Sequence, residues 1–160
     1  MPVTIRGSGQ VPVQVIQTVK TDTFSSTSQT YVDITGMSVT ITPSSSSNRI
    51  LINFAISGGA GSMAIFQLVR NTTPIAIGDL SGTKPQSTTL GQQWAGGNGD
   101  RGFSAVMTWL DSPATTSAVT YKLQGYTDAG TWYLNRTASD ANAIFGPRAV
   151  SSITVMEISG

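Results

Sequence analysis

The sequence predicts an all-β protein, with about nine or ten short antiparallel strands folded as a sandwich or barrel. Three observations favour this fold. Charged residues are only 11% of the chain, so the polar surface must come mainly from hydroxyls and amides, which favours strands over helices. Short runs alternate apolar and polar residues with the two-residue period of a strand, and turn residues separate them. The length of 160 residues suits one domain with a substantial core.

Two runs near the middle of the first half give the clearest strand pattern. In Met37–Thr42 the apolar residues alternate with Ser and Thr, as in a strand with one wet face. Arg49–Ser57 is apolar in both phases, so we expect this strand to be covered on both sides. Pro43 ends the first run, and the segment Ser44–Asn48 can bond back to a turning backbone. The stretch therefore predicts an antiparallel hairpin.

The N-terminal part of the chain divides into an arm and two further strands. Residues 1–10 are polar, contain Gly7 and Gly9, and are interpreted as a flexible arm, whereas residues 11–160 form the domain. Val11–Lys20 is a strand, and Pro12 predicts a strand start or an edge position. A Ser/Thr-rich loop follows, before a short strand at Tyr31–Thr35 that Gly36 separates from the next one.

The middle of the chain predicts a second hairpin and a long loop. Gly58–Ser62 is glycine-rich and predicts a turn, after which Met63–Arg70 and Pro74–Gly78 predict paired strands. The segment from Asp79 to Gly102 has no clear strand pattern. Loops of this length are usually functional or are ordered by a partner. Within it, Trp94 and Arg101 are the candidate contact residues.

The last third of the chain returns to strands. Phe103–Leu110 is one strand, and Val119–Thr127 and Thr131–Asn135 predict a third hairpin through a turn that contains Gly130. Residues 136–148 are irregular, and Ala149–Ile158 is the closing strand.

The residues that usually carry out catalysis are scarce. The chain contains no His and no Cys, which excludes imidazole bases, thiolate metal sites and disulfides. Most Asp residues lie in predicted turns, and Glu157 in the closing strand is expected to pair with an arginine. The glycine clusters lack the Lys-Ser/Thr ending of a phosphate-binding loop. We therefore expect a protein that is not an enzyme and has no cofactor or metal.

Charge and hydropathy limit the partners. The net charge is +1, and the charges are scattered singly, so neither nucleic acid nor an anionic membrane is an expected partner. No signal peptide or long apolar segment is evident, which predicts a soluble protein. The acceptor patterns at Asn71 and Asn135 are too common to predict glycosylation.

Several strands are apolar in both phases, and a second copy of the chain is the simplest cover for the surplus. The candidate residues for this subunit interface are Phe103, Met107, Trp109 and Tyr126. The other aromatic residues are interpreted mainly as core, with a sugar-stacking surface as the alternative.

Two segments carry a family resemblance: Ile41–Ile52 (ITPSSSSNRILI) and Tyr121–Ile158, which contains YKLQGYTDAGTWYLNR and SSITVMEI. They resemble a β-rich module of tailed-bacteriophage virion proteins, which is similar in architecture to the trimeric jelly roll of the C1q and tumour-necrosis-factor group. The resemblance covers most of residues 20–158. It implies a structural protein with a jelly-roll-like sandwich and a homotrimeric assembly, and it carries over no active site.

Three function classes follow. The first is a trimeric capsid decoration, or cement, protein on the outer surface of the head, because only a short arm precedes the first strand whereas a fibre protein has a long shaft. In that role the arm, through Arg6, Gly7, Gly9 and Gln10, would bind the major capsid protein. The alternative is a receptor-binding fibre tip that recognises host-surface glycan. An enzyme ranks last, because no paired-carboxylate cleft is evident.

Overall fold

The computed structural model describes residues 12–92 and 102–160, and over these residues the chain forms two antiparallel sheets and no helix. The predicted all-β sandwich is therefore confirmed. In chain order the strands are β1 (Pro12–Lys20), β2 (Phe24–Ser26), β3 (Val32–Ile41), β4 (Arg49–Ala60), β5 (Ala64–Arg70), β6 (Thr73–Ile75), β7 (Thr89–Gln92), β8 (Gly102–Asp111), β9 (Val119–Tyr126), β10 (Trp132–Leu134) and β11 (Ser151–Ile158).

The first sheet is built around β4. Strand β8 pairs along one side of β4, and β11 and β10 follow one another along the other side. Strand β1 lies outside β11, and β2 lies outside β10. The edge position that Pro12 predicts for the first strand is therefore confirmed.

The second sheet has the order β3-β9-β5-β6, and β7 also pairs with β5. Both faces of β5 are buried, because the segment after β6 packs over the outer face of this sheet. Tyr31 Oη donates a hydrogen bond to the Gln86 carbonyl at 2.6 Å, and Pro85 lies over Ile65 across a small cavity. The same chain thus covers the surplus apolar residues of β5, and no second copy is needed there.

The core lies between the two sheets. Ile52 and Phe54 of β4 face Phe66 of β5 and Tyr121 of β9, and all four side chains are buried. Trp132 stacks edge-to-face on Phe66 with ring centroids 5.4 Å apart. Burial of these large side chains is the main source of stability in a chain that has no disulfide.

Two of the three predicted hairpins are wrong. Strand β3 pairs with β9, whereas β4 pairs with β8 and β11, so the Pro43–Asn48 connection crosses from one sheet to the other. The connection from β9 to β10 crosses in the same way. The predicted hairpin of β5 and β6 is confirmed, with Leu68 opposite Ile75. Alternation of apolar residues fixes which face of a strand is buried, but it does not fix which strand lies beside it.

The strand boundaries also differ from the prediction. Strand β4 continues through the predicted turn to Ala60, and the irregular segments contain the short strands β2 and β7. Strand β3 runs through Gly36, which has a φ of 82° and lies within a register irregularity between Asp33 and Ser38. A glycine in a strand therefore marks a bulge here rather than a strand end.

Candidate assembly surface

The outer face of the first sheet is open across β1, β11, β4 and β8 in the described part of the chain. Its register places side chains in three rows that run across the strands. Together we call these rows the layered face. The Leu110 row consists of Val15, Met156, Leu51 and Leu110. The Val106 row consists of Val19, Ser152, Ala55 and Val106.

The row between them is polar, and we call it the Thr108 row. It consists of Gln17, Thr154, Asn53 and Thr108. These side chains bond to one another: Gln17 Nε2 donates to Thr154 Oγ1, and Asn53 Nδ2 donates to Thr108 Oγ1, both at 2.8 Å. The layered face thus has two mainly apolar rows on either side of a polar row that already has internal hydrogen bonds.

Four apolar side chains of the layered face are substantially exposed, and none has a charged neighbour within the three rows. Val106 is 64% exposed, Val15 55%, Val19 51% and Leu110 42%. The adjacent position on β4 is Arg49, which pairs with Ile158 at the end of the face. Exposed contiguous apolar surface of this kind is typical of an interaction site.

Strand β8 adds an open edge to this face. One side of β8 pairs with β4, and no described strand pairs with the other side. An unpaired edge presents backbone N–H and C=O groups, and β8 has no charge or proline between Gly102 and Asp111 that would discourage pairing.

The predicted interface residues do not share one surface. Phe103 and Met107 point inward and pack against the core, and the Phe103 ring lies 5.6 Å from that of Phe66. Trp109 has the same inward phase but remains 39% exposed beside the open edge. Tyr126 lies on the second sheet, stacked on Tyr31 at 5.6 Å. Val106 and Leu110 of β8 are instead exposed on the layered face, and the sequence did not single out either of them for an interface.

Six other predicted site residues lie in the arm and in the long loop. Arg6, Gly7, Gly9 and Gln10 of the predicted arm lie outside the described residues. The predicted loop contacts Trp94 and Arg101 also lie outside them.

Glu157 is fully buried at the base of the Ser44–Asn48 turn. Its Oε1 accepts hydrogen bonds from the Ser44 amide (2.6 Å), the Ser44 hydroxyl (2.8 Å) and Asn48 Nδ2 (2.6 Å). Its Oε2 accepts one from Gln14 Nε2 at 2.6 Å. Burial raises the pKa of Glu157, but these hydrogen bonds outweigh it and bring the pKa down to about 2. No arginine of the described residues pairs with Glu157, so the expected ion pair is not found among them, and neutral donors occupy both carboxylate oxygens instead.

A second buried acid joins the two sheets. Asp111, at the end of β8, accepts hydrogen bonds from Arg70 Nη1 at 3.0 Å to each carboxylate oxygen. The Tyr121 hydroxyl also donates to Asp111 Oδ2 at 2.6 Å. Burial and this bond to a carboxylate raise the pKa of Tyr121 well above its ordinary range. The spacing along the chain gave no signal for this cluster, which only the packing of the sheets brings together.

Asn135 is a third buried polar junction. Its Nδ2 donates to the carbonyls of Lys20 (2.8 Å) and Asp22 (2.9 Å), and its Oδ1 accepts from the Ser151 hydroxyl (2.7 Å). The side chain is fully buried and has no room for a glycan.

Two small cavities are present among the described residues. One, of about 220 Å³, is lined by Phe103, Arg136 and Thr137, whose buried hydroxyl has no hydrogen-bond partner. The Arg136 guanidinium is already engaged, because it lies 3.8 Å from the Tyr133 ring centroid and 3.5 Å from an Asp140 oxygen. The other cavity, of about 270 Å³, lies over Ile65 beneath Lys84 and Pro85. Neither cavity is lined by an acidic side chain.

Over residues 12–92 and 102–160 no His, Cys, Asp and Glu side chains gather in a group of three or more that could hold a metal ion. The same residues include no helix with the length and hydropathy to cross a bilayer. A search of protein-family models found no match to the chain, and a search of curated protein sequences found no significant match.

Proposed function

We propose that this protein is a structural component of a tailed-bacteriophage virion, a homotrimeric decoration protein that binds the major capsid protein on the outside of the head. The observation that carries its assembly role is the layered face, a sheet face with no charged side chain in its three rows and with four strongly exposed apolar side chains. The phage setting and the trimer rest on the resemblance of Ile41–Ile52 and Tyr121–Ile158 to virion modules.

The arrangement of the buried acids also supports a structural role. The carboxylates of Glu157 and Asp111 are occupied by donors of the same chain, which tie turns and sheets together. Groups used in this way stabilise a shape.

The arm supplies the proposed attachment to the shell. Arg6, Gly7, Gly9 and Gln10 precede β1, which is an edge strand of the first sheet. A segment that orders only on binding loses about 1–2 kcal/mol of conformational entropy per residue fixed. Strand addition and side-chain contacts must offset that cost, and three arms on one trimer gain from effective concentration.

Electron microscopy of undecorated phage heads incubated with purified protein tests this proposal. The full-length protein should add regular density to the head surface, and a variant lacking residues 1–10 should add none while keeping its melting temperature. Arg6→Ala should bind partially. Saturation of the heads by the truncated variant would contradict the arm as the attachment. Labelling of fibre tips rather than heads would favour the glycan-binding alternative.

A further inference from the structure

We infer that the layered face is where copies of this chain meet, around an axis parallel to its strands, so that each row packs against the same row of another copy. The inference deepens the self-assembly part of the proposed function and does not depend on where the protein lies on a virion. It identifies the surface, its occupant and the direction of the symmetry axis.

The inferred axis is the one that matches each row with itself. Rotation about an axis parallel to the strands leaves every row at its own height along that axis. The Leu110 rows of neighbouring copies then meet each other, as do the Thr108 rows and the Val106 rows. Apolar surface meets apolar surface in two layers, and a polar layer lies between them. This matching holds for two copies or for three, because it depends only on the axis direction.

The polar row is suited to burial in such a contact. A buried polar group that lacks a partner costs about 1–3 kcal/mol. In the Thr108 row the Gln17 and Asn53 amides already donate to Thr154 and Thr108 within one copy. The row can therefore lie inside an interface without depending on donors or acceptors of the second copy.

The chemistry of the face favours a second copy over a different partner. No charged side chain lies in the three rows, so no complementary charge on a foreign surface would be recognised. Four strands at a spacing of ~4.8 Å and seven residues at ~3.3 Å give a flat area of roughly 400 Å² per copy. Two such faces give a flat area of roughly 800 Å², and the side chains that stand on them add to this value, toward the ~1,200 Å² at the lower end of specific interfaces.

Lysine substitutions test the surface. Val106→Lys and Leu110→Lys would each place an unpaired ammonium in an apolar layer, so we expect the dissociation constant of the assembly to rise at least ~100-fold. Leu90→Lys is the matched control, because Leu90 is 54% exposed but lies in β7 of the second sheet. Light scattering across a dilution series gives the dissociation midpoint. Thermal melting of dilute, monomeric samples checks that each variant folds.

Cysteine cross-linking tests the row matching, because the chain has no Cys of its own. Under the inferred axis, β8 of one copy approaches β1 of the next. Mixed copies carrying Val106→Cys and Val19→Cys, which lie in one row, should form an intermolecular disulfide. Copies carrying Val106→Cys and Val15→Cys should not, because their rows are ~13 Å apart along the strands and a disulfide needs Cα atoms within ~7 Å. Equal cross-linking of both pairs would overturn the axis.

The outcomes separate this inference from the proposed function. If the wild-type protein assembles and Val106→Lys and Leu110→Lys assemble equally well, the layered face is not the interface, although self-assembly stands. If only the two variants dissociate, the surface is supported whether or not the protein binds phage heads. A wild-type monomer overturns both the inference and the trimer.

Discussion

Glu157 is a buried carboxylate with no cationic partner among residues 12–92 and 102–160, and four hydrogen bonds from neutral groups stabilise it. Those bonds connect β11 to the Ser44–Asn48 turn, and the Gly160 amide adds a further bond to Asn48 Oδ1 at 3.1 Å. One side chain thus anchors both the crossing between the sheets and the end of the chain. The sequence placed Glu157 in the closing strand, but it could not show that a turn over a hundred residues away would surround it.

The lowered pKa of Glu157 predicts a specific loss of stability in acid. Its folded pKa of about 2 lies below the ordinary pKa of 4.5 that it has in the unfolded chain, so the stabilisation is complete above pH 4.5 and is lost as the pH falls through about 2. Glu157→Gln keeps the shape but weakens charge-assisted bonds, and it should lower the free energy of unfolding by about 1–3 kcal/mol at pH 7. Urea unfolding between pH 7 and pH 2 should show a flatter pH dependence in this variant. The exposed Asp79→Asn control should follow the wild type, and a Glu157→Gln profile parallel to the wild type would contradict the account.

The Tyr121 hydroxyl gives a second prediction at the level of single residues. It donates to a carboxylate inside the core, whereas the Tyr31 hydroxyl donates to a neutral carbonyl. Tyr121→Phe should therefore lower the free energy of unfolding by about 1.5–3 kcal/mol, against about 0.5–1.5 kcal/mol for Tyr31→Phe. Chemical denaturation of the two variants makes the comparison. An equal cost would mean that the bond to Asp111 adds nothing beyond an ordinary hydrogen bond.

At the level of elements, a glycine can mark either a turn or a close approach between strands, and the sequence alone does not distinguish these two roles. The sequence predicts a turn at Gly58–Ser62, yet β4 continues to Ala60 because β10 packs closely against it. A Cβ on Gly58 would lie 2.0 Å from the Tyr133 carbonyl oxygen, and one on Gly59 would lie 2.8 Å from the Ala138 amide nitrogen. These glycines are needed for close approach within a strand.

Replacing Gly58 tests this interpretation. Gly58→Ala must push β4 and β10 apart, and overpacking of this kind costs about 1–3 kcal/mol or more. Gly61→Ala is the matched control, since its nearest neighbour, the Thr131 carbonyl oxygen, would lie 3.9 Å from the new Cβ. Thermal unfolding should show a lower melting temperature for Gly58→Ala and little change for Gly61→Ala. Equal melting temperatures would contradict a close contact between the two strands.

At the scale of the whole molecule, the class of the fold was predictable and the pairing of strands was not. Alternation in Met37–Thr42 identified the buried face correctly, but Arg49–Ser57, which was expected to be covered on both sides, has one open face on which Asn53 is exposed. Strands that are consecutive in the sequence often pair with each other. That expectation failed for β3 and β4, because Glu157 and the core hold these two strands in opposite sheets. The sequence shows apolar residues in both phases of β8, which indicates more apolar surface than one core needs. Only the register of β8 with β4, β11 and β1 shows that these residues belong to rows across the sheet.

The mass of the purified protein in solution tests the central claim most directly, since the layered face has a role only if copies of the chain associate. Light scattering at micromolar concentration should give a particle of three chains, each of 16.7 kDa. The particle should persist in high salt, because the proposed interface contains no ion pairs. A stable particle with the mass of one chain over the whole concentration range would contradict the account.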